Sequence, residues 1–77
     1  MNLQTEKTGE GLRIFLETSE KAAIIITEGE KERILLPITE APSEDTYYYE
    51  NSSGLAKTEN GYVGFYSGEP DSLKVLN

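Results

Sequence analysis

The dipeptide Asn60-Gly61 constrains this sequence more than any other feature, because it separates two runs of strand-forming residues, 55–59 and 62–66. Asparagine and glycine both tolerate a positive φ, which the two-residue type I′ turn of a β-hairpin requires. We therefore expect an antiparallel hairpin that turns at Asn60-Gly61. This hairpin is the strongest structural signal in the chain.

The two faces of the expected hairpin carry different kinds of residue. Side chains alternate along each strand, so the position of the turn assigns every side chain to a face. One face is apolar and suited to a core; it carries Ala56, Thr58, Val63 and Phe65. The other face is suited to water or to a partner; it carries Leu55, Lys57, Glu59, Tyr62, Gly64 and Tyr66.

Further strand-like runs recur about every ten residues on both sides of the hairpin. Apolar alternation or β-branched clusters predict strands over 12–17, 22–27, 32–38, 46–50 and 72–76. Pro37 cannot donate a ladder hydrogen bond, which places it at a sheet edge or a bulge. The pattern predicts an all-β fold, a small antiparallel barrel or sandwich of about six to seven short strands, with the choice between barrel and sandwich left open.

The domain organisation is expected to be simple. Residues 1–10 are polar and without periodicity, which predicts a flexible lead-in, and residues 11–77 are expected to form a single β domain. A chain of 77 residues is short, and chains of this size bury only roughly 60% of their unfolded surface. No cysteine is present to cross-link it. Stability must therefore come from apolar packing, from homo-oligomerisation, or from both.

Charge narrows the possible partners. Fourteen acidic residues against seven basic ones give a net charge of −7, and the basic residues are scattered, which argues against direct binding of nucleic acid. The acidity has two interpretations: solubility through self-repulsion, or attraction to a cationic protein partner. No apolar run predicts a membrane span or a signal peptide, so a cytoplasmic location is expected, with export through a removed signal left open.

Catalytic chemistry is not indicated by the sequence. Histidine and cysteine are both absent, which removes the commonest general base, the commonest thiol nucleophile and the usual zinc ligands. Three pairs of acids lie in predicted turns, where solvation explains them: Glu28/Glu30, Glu44/Asp45 and Glu69/Asp71. We therefore predict a protein that is not an enzyme, with no catalytic residue, no metal ligand and no cofactor.

Tyrosine is the residue type that points to recognition. Five tyrosines occur and no tryptophan, and tyrosine offers a large rigid contact surface with a polar tip. Alternation within the predicted strand over 46–50 places Tyr48 on the core side. The residues expected to bind a protein partner are Tyr47, Tyr49, Ser53, Tyr62 and Tyr66.

A short motif pair carries a family resemblance. Ser53-Gly54 is followed by the run Asn-Gly-Tyr-Val-Gly-Phe-Tyr-Ser-Gly-Glu at 60–69. Within residues 51–75 this resembles the second half of the membrane-bound C-type lysozyme inhibitors, small β-barrels in which a serine and a lysine from two turns reach into the lysozyme cleft. The resemblance implies that Ser53 stands for that serine. The lysine has no counterpart, because Ser67 is followed directly by Gly68, and the cysteines of the family are missing.

These observations favour a small acidic protein-binding module without enzymatic activity, such as an inhibitor of another protein. It would recognise its partner through surface tyrosines and a sheet face or edge. Two alternatives remain open: a structural β subunit that assembles with copies of itself, and a protein similar to the lysozyme inhibitors.

Overall fold

The computed structural model describes residues 2–51 and 53–76, which form two β-sheets and one short α-helix. Three residues lie outside the described part of the chain: Met1, Ser52 and Asn77. Met1 belongs to the predicted lead-in, and Ser52 and Asn77 belong to the predicted β domain. Ser52 also lies in the segment that carries the family resemblance. The strands are β1 (Asn2–Thr8), β2 (Gly11–Glu17), β3 (Ala23–Glu28), β4 (Lys31–Leu35), β5 (Pro37–Glu40), β6 (Leu55–Thr58), β7 (Gly61–Tyr66) and β8 (Leu73–Leu76). The helix α1 spans Glu44–Glu50, and a 3₁₀ turn spans Pro70–Ser72. The predicted all-β class is confirmed, with eight strands in the described part of the chain.

The strands form a large sheet and a small sheet that pack face to face. The large sheet has the order β1-β2-β7-β6-β5 and the small sheet the order β4-β3-β8. All pairs are antiparallel except β5 and β6, which are parallel and are joined through α1. The main core lies between the sheets; its buried members are Leu12, Ile14, Leu16, Ala22, Ile24, Ile26, Leu35, Leu55, Tyr62 and Tyr66.

The outer side of the large sheet is covered in part by α1. Tyr47 and Tyr48 of the helix pack with Ala56 and Val63 of the sheet, and partly buried aromatic residues surround this second cluster. The middle of the large sheet is therefore buried on both faces. The prediction that one hairpin face meets water or a partner is wrong, because that face packs against the small sheet while the face predicted to form the core packs against α1.

The hairpin itself is confirmed, but its turn lies one residue earlier than predicted. Thr58 pairs with Gly61, which leaves Glu59 and Asn60 as the two turn residues. No non-glycine residue described here has a positive φ, so Asn60 does not form a type I′ turn. Gly61 is needed instead because β7 lies very close to β2 at this point. A Cβ on residue 61 would overlap the carbonyl oxygen of Leu16 in β2.

The predicted flexible lead-in is wrong for residues 2–8, which pair along their full length with β2 as strand β1. The sequence shows no periodicity here because β1 is an edge strand with a single apolar residue, Leu3, packed against the main core. Polar side chains occupy its other positions. The sequence of β1 therefore shows no hydrophobic alternation, although its backbone pairs with β2 along its full length.

The predicted strand over 46–50 is also wrong, because this segment belongs to α1. Ser43 caps the helix, its Oγ accepting a hydrogen bond from the Thr46 backbone N–H at 3.2 Å. Glu44 and Asp45 in the first turn place negative charge near the positive end of the helix dipole. These start signals and the burial of two tyrosines against the sheet override the strand propensity of three consecutive tyrosines.

The chain crosses from the small sheet to the large sheet at Leu36 and Pro37. Strand β4 ends at Leu35, and β5 begins at Pro37 as the terminal strand of the large sheet, with a register shift between Pro37 and Thr39. The prediction that Pro37 marks an edge or a bulge is confirmed on both counts. Residues 31–40 thereby run along one edge of both sheets in succession.

Candidate functional site

The structure does not bring the five predicted binding residues together on one surface. Tyr47, Tyr62 and Tyr66 are buried, with 2%, 6% and 5% of their surface exposed. Tyr49 is 75% exposed, and Ser53 is exposed in the turn before β6. The prediction of a surface built from Tyr47, Tyr62 and Tyr66 is therefore wrong in its placement of these rings.

Each buried tyrosine has a structural role that its environment explains. The Tyr47 hydroxyl accepts a hydrogen bond from the Gly54 backbone N–H at 3.1 Å, which ties α1 to the start of β6, and burial raises its pKa. Tyr62 lies in the main core with the Lys57 ammonium 5.1 Å from its ring centroid. The ring of Tyr66 lies where a Cβ on Gly68 would be, so a larger residue there would displace it.

Beside α1, the outer side of the large sheet forms a groove, called here the helix groove. Its floor carries Phe15 and Arg13, and its helix wall carries Tyr48. Two adjoining cavities of about 350 and 200 Å³ share Arg13 and Tyr48. Further lining residues are Gln4, Thr5, Glu6, Thr8, Gly9, Glu10, Glu44, Tyr49 and Phe65.

The polar groups at the centre of the helix groove already have partners within the protein. The Arg13 guanidinium lies 4.3 Å from the Tyr48 ring centroid, 3.0 Å from a carboxylate oxygen of Asp45 and 4.0 Å from one of Glu6. The Tyr48 hydroxyl donates to the carbonyl oxygen of Ile14 at 2.8 Å. Burial, reinforced by Glu44 and opposed by Arg13, raises the pKa of Tyr48 to about 12. The polar contacts of Arg13 and Tyr48 in the groove thus hold α1 on the large sheet.

A second surface has the opposite character and is called here the aliphatic edge; it consists of Ile34, Leu36 and Ile38. These side chains are 52%, 58% and 54% exposed, whereas Leu35 between the first two is buried and Pro37 between the last two is half-buried. The alternation of a strand thus continues across the change of sheet. The aliphatic edge spans the end of β4 and the start of β5, each the terminal strand of its sheet in the described part of the chain.

The aliphatic edge is held in place by contacts on its inner side. The Leu36 carbonyl accepts a hydrogen bond from the Leu55 backbone N–H at 2.9 Å. The Ile38 side chain packs over Gly54, where an added Cβ would lie 3.0 Å from the Ile38 Cγ2. Exposed Ser53 adjoins this contact. These contacts hold Leu36 and Ile38 against the segment that begins β6.

The aliphatic edge is an uncharged stretch between charged parts of two terminal strands. Terminal strand β1 carries Glu6 and Lys7, and terminal strand β8 carries Lys74. No charged residue occurs between residues 34 and 39. Proteins commonly protect edge strands with charges against unwanted pairing; in β4 and β5 such charges lie outside the aliphatic edge, at residues 31–33 and at Glu40.

In the predicted strand over 32–38, alternation puts Ile34, Leu36 and Ile38 on one side, but nothing in the sequence indicates that this side is exposed. The intervening positions hold Leu35 and Pro37, which are also apolar. Either set could have faced the core. Pro37, which predicted an edge, was the one signal available for an exposed surface here.

The described part of the chain carries neither a cluster of metal ligands nor a membrane-spanning helix. Among the described residues, no group of three or more Asp or Glu side chains is placed to hold a metal ion, and no helix there is long and apolar enough to cross a membrane. Comparison with protein-family models, curated proteins and solved structures found no match. The resemblance of residues 51–75 to lysozyme inhibitors stays a prediction.

Proposed function

We propose that this protein is a non-enzymatic binding module that recognises another protein through the aliphatic edge. The observation that carries the proposal is that Ile34, Leu36 and Ile38 are each more than half exposed where terminal strand β4 is followed by terminal strand β5. An apolar patch beside an open strand edge is the arrangement used by domains that bind an extended segment as an additional strand. Main-chain hydrogen bonds would then supply affinity, and the side chains of the edge would supply selectivity.

The helix groove supports this function less well. Its central cation is already engaged by Asp45, Glu6 and the ring of Tyr48. A ligand there would have to replace contacts that hold α1 on the sheet. Tyr49 is an exposed ring at the rim of this groove. A variant at this residue therefore tests whether binding depends on the helix groove instead of the aliphatic edge.

The experiment compares binding partners of three forms of the protein: the parent, the double variant Ile34→Thr/Ile38→Thr, and the variant Tyr49→Ser. Threonine keeps the β-branched shape that suits a strand while removing apolar surface from the edge. Each form is immobilised and exposed to a lysate of its source cells, and retained proteins are quantified. Melting temperatures are measured first to show that all three forms are folded.

We expect at least one partner to be retained by the parent and by Tyr49→Ser but lost from the double variant. Equal retention by all three forms would overturn the proposal. The alternative of a structural subunit is tested on the same proteins by their molar mass in solution. An oligomer of the parent that dissociates in the double variant would assign the edge to self-assembly instead.

A further inference from the structure

Strand β1 is the longest terminal strand of the two sheets, and one of its edges has no partner in the described chain. Its seven residues, Asn2–Thr8, pair with β2 in an unbroken register, whereas the other terminal strands have four or five residues. All seven are exposed except half-buried Leu3. The strand contains neither a proline nor a bulge, two features that commonly block an open edge.

One hydrogen bond beside β2 fixes the direction of the backbone groups along this free edge. The Thr18 N–H, directly after β2, donates to the Asn60 carbonyl, so even-numbered residues of β2 face β7. The odd-numbered residues of β2 then face β1, where their partners are even-numbered. Leu3, Thr5 and Lys7 therefore direct their N–H and C=O groups outward, where an additional strand could bind them.

A second copy of β1 can pair antiparallel with this edge in only a few symmetric registers, because outward-facing residues of the two copies must lie opposite one another. Centring the pair on Thr5 matches all seven residues and places Lys7 opposite Leu3 and Glu6 opposite Gln4. Centring it on Gln4 matches only residues 2–6. Centring it on Glu6 or Lys7 places that residue opposite its own copy, and like charges directly opposite one another destabilise a strand pair.

The charges of β1 are compatible with the register centred on Thr5. The Lys7 ammonium lies 2.9 Å from a carboxylate oxygen of Glu69, and the Arg13 guanidinium lies 4.0 Å from one of Glu6. The two Glu6 side chains become diagonal neighbours across the pair, and each keeps its own Arg13 beside it. At the centre, Thr5 lies opposite its own copy, and threonine pairs are favourable between strands.

We propose that two copies of this chain associate through β1, antiparallel and centred on Thr5. The two five-stranded sheets then form one sheet of ten strands. The two-fold axis is perpendicular to this sheet, so both copies carry α1 on the same side. Strand β5 lies at the opposite end of each large sheet, which leaves the aliphatic edge free. A single strand pair is a small interface, so we expect a dissociation constant on the order of 100 μM.

The absence of cysteine from the chain allows a direct test of the register. The two Thr5 Cα atoms would lie about 5.5 Å apart, a spacing that a disulfide can span. The two Lys7 Cα atoms would lie four positions apart along the strands, on the order of 13 Å, which a disulfide cannot span. Thr5→Cys, Glu6→Cys and Lys7→Cys are therefore oxidised separately in a glutathione buffer, at a protein concentration near the expected dissociation constant, and linked dimer is quantified.

We expect Thr5→Cys to form linked dimer about tenfold faster than Glu6→Cys and Lys7→Cys, because pairing raises the local concentration of the two thiols. Fastest linkage at residue 6 or 7 would establish a different register and overturn the proposed pairing. Equal rates for all three variants would show random collision and overturn the association itself.

Sedimentation equilibrium gives a second, independent readout. Thr5→Pro removes an outward N–H that β2 does not use, so it should keep the fold and abolish the dimer. Ile34→Thr/Ile38→Thr should dimerise like the parent. Melting temperatures are measured first; if Thr5→Pro is unfolded, the cysteine variants alone decide the question.

Three results of this measurement would overturn the inference. The first is a parent that stays monomeric up to about 1 mM, and the second is a dimer that persists in folded Thr5→Pro. The third is a dimer that Ile34→Thr/Ile38→Thr abolishes, because the association would then belong to the aliphatic edge. The first two results leave the proposed function standing, since it concerns a different strand edge.

Discussion

Tyr48 connects three parts of the molecule through one side chain. Its ring packs in the cluster beneath α1, its face contacts the Arg13 guanidinium, and its hydroxyl donates to the Ile14 carbonyl of β2. The side chain is buried and the neutral phenol is the form that the site accommodates. Ionisation of this residue is therefore coupled to folding.

Tyr48 predicts a loss of stability at alkaline pH. Its pKa is about 12 in the folded protein against 10.0 for an unperturbed tyrosine. Below pH 10 both states keep the proton; above it the unfolded state loses the proton first and is favoured. The free energy of unfolding should fall by about 2 kcal/mol from this residue as the pH rises through that interval.

Urea denaturation across this pH range measures the effect, with Tyr48→Phe as the comparison. The variant starts less stable by about 1 kcal/mol, because the Ile14 carbonyl loses its donor. Its stability should then decline less steeply than that of the parent, with a residual decline from buried Tyr47. Parallel pH profiles for the two proteins would show that Tyr48 does not carry the effect.

Gly61 predicts a second residue-level effect. An added Cβ would overlap the Leu16 carbonyl, so Gly61→Ala should separate β7 from β2 and cost roughly 2 kcal/mol or more. The control is Gly9→Ala, since no atom lies within 4 Å of the Cβ position at Gly9. Melting curves of both variants are compared with the parent. Equal melting temperatures for the two variants would contradict the close approach of β2 and β7.

At the scale of the elements, α1 shows most clearly what the sequence did and did not reveal. Its cap, Ser43, and its acidic first turn were present in the sequence, but the three tyrosines that follow favour a strand. The helix has only seven residues, too few to be stable alone. It forms because Tyr47 and Tyr48 find buried sites on the large sheet, which is tertiary information.

Strand positions were more predictable than strand surroundings. Alternation over 12–17 predicts a strand with Leu12, Ile14 and Leu16 on one face, and all three are buried in β2. The hairpin of β6 and β7 followed from turn chemistry. Sequence pattern did not reveal that the large sheet is covered on both sides. The assignment of Tyr62 and Tyr66 to an exposed face failed for this reason, since an amphipathic hairpin was assumed where both faces are packed.

The helix also gives an element-level prediction. Ser43→Ala removes the hydroxyl that accepts from Thr46 N–H and should lower the free energy of unfolding by about 1 kcal/mol. Ser53→Ala, the same change at an exposed turn residue, should alter it by less than about 0.5 kcal/mol. Urea denaturation of both variants tests the cap. An effect at Ser43 no larger than at Ser53 would show that capping does not hold α1.

At the scale of the whole molecule, the two sheets differ in which elements cover their faces. The large sheet is covered by the small sheet on one side and by α1 on part of the other. On the small sheet, exposed Ile34 pairs with half-buried Ile25 and continues into the aliphatic edge. Residues 34–39 form an apolar, uncharged margin of the described structure, where β4 of the small sheet is followed by β5 of the large sheet.

The central claim is that an extended segment adds to this margin as a strand. Two-dimensional NMR of isotope-labelled protein, recorded during titration with an extended synthetic peptide of alternating Thr and Val, tests it residue by residue. We predict that amide signals of residues 32–40 shift progressively and that their hydrogen exchange slows, while signals of α1 stay in place. Shifts confined to the residues that line the helix groove, with residues 32–40 unchanged, would contradict the claim.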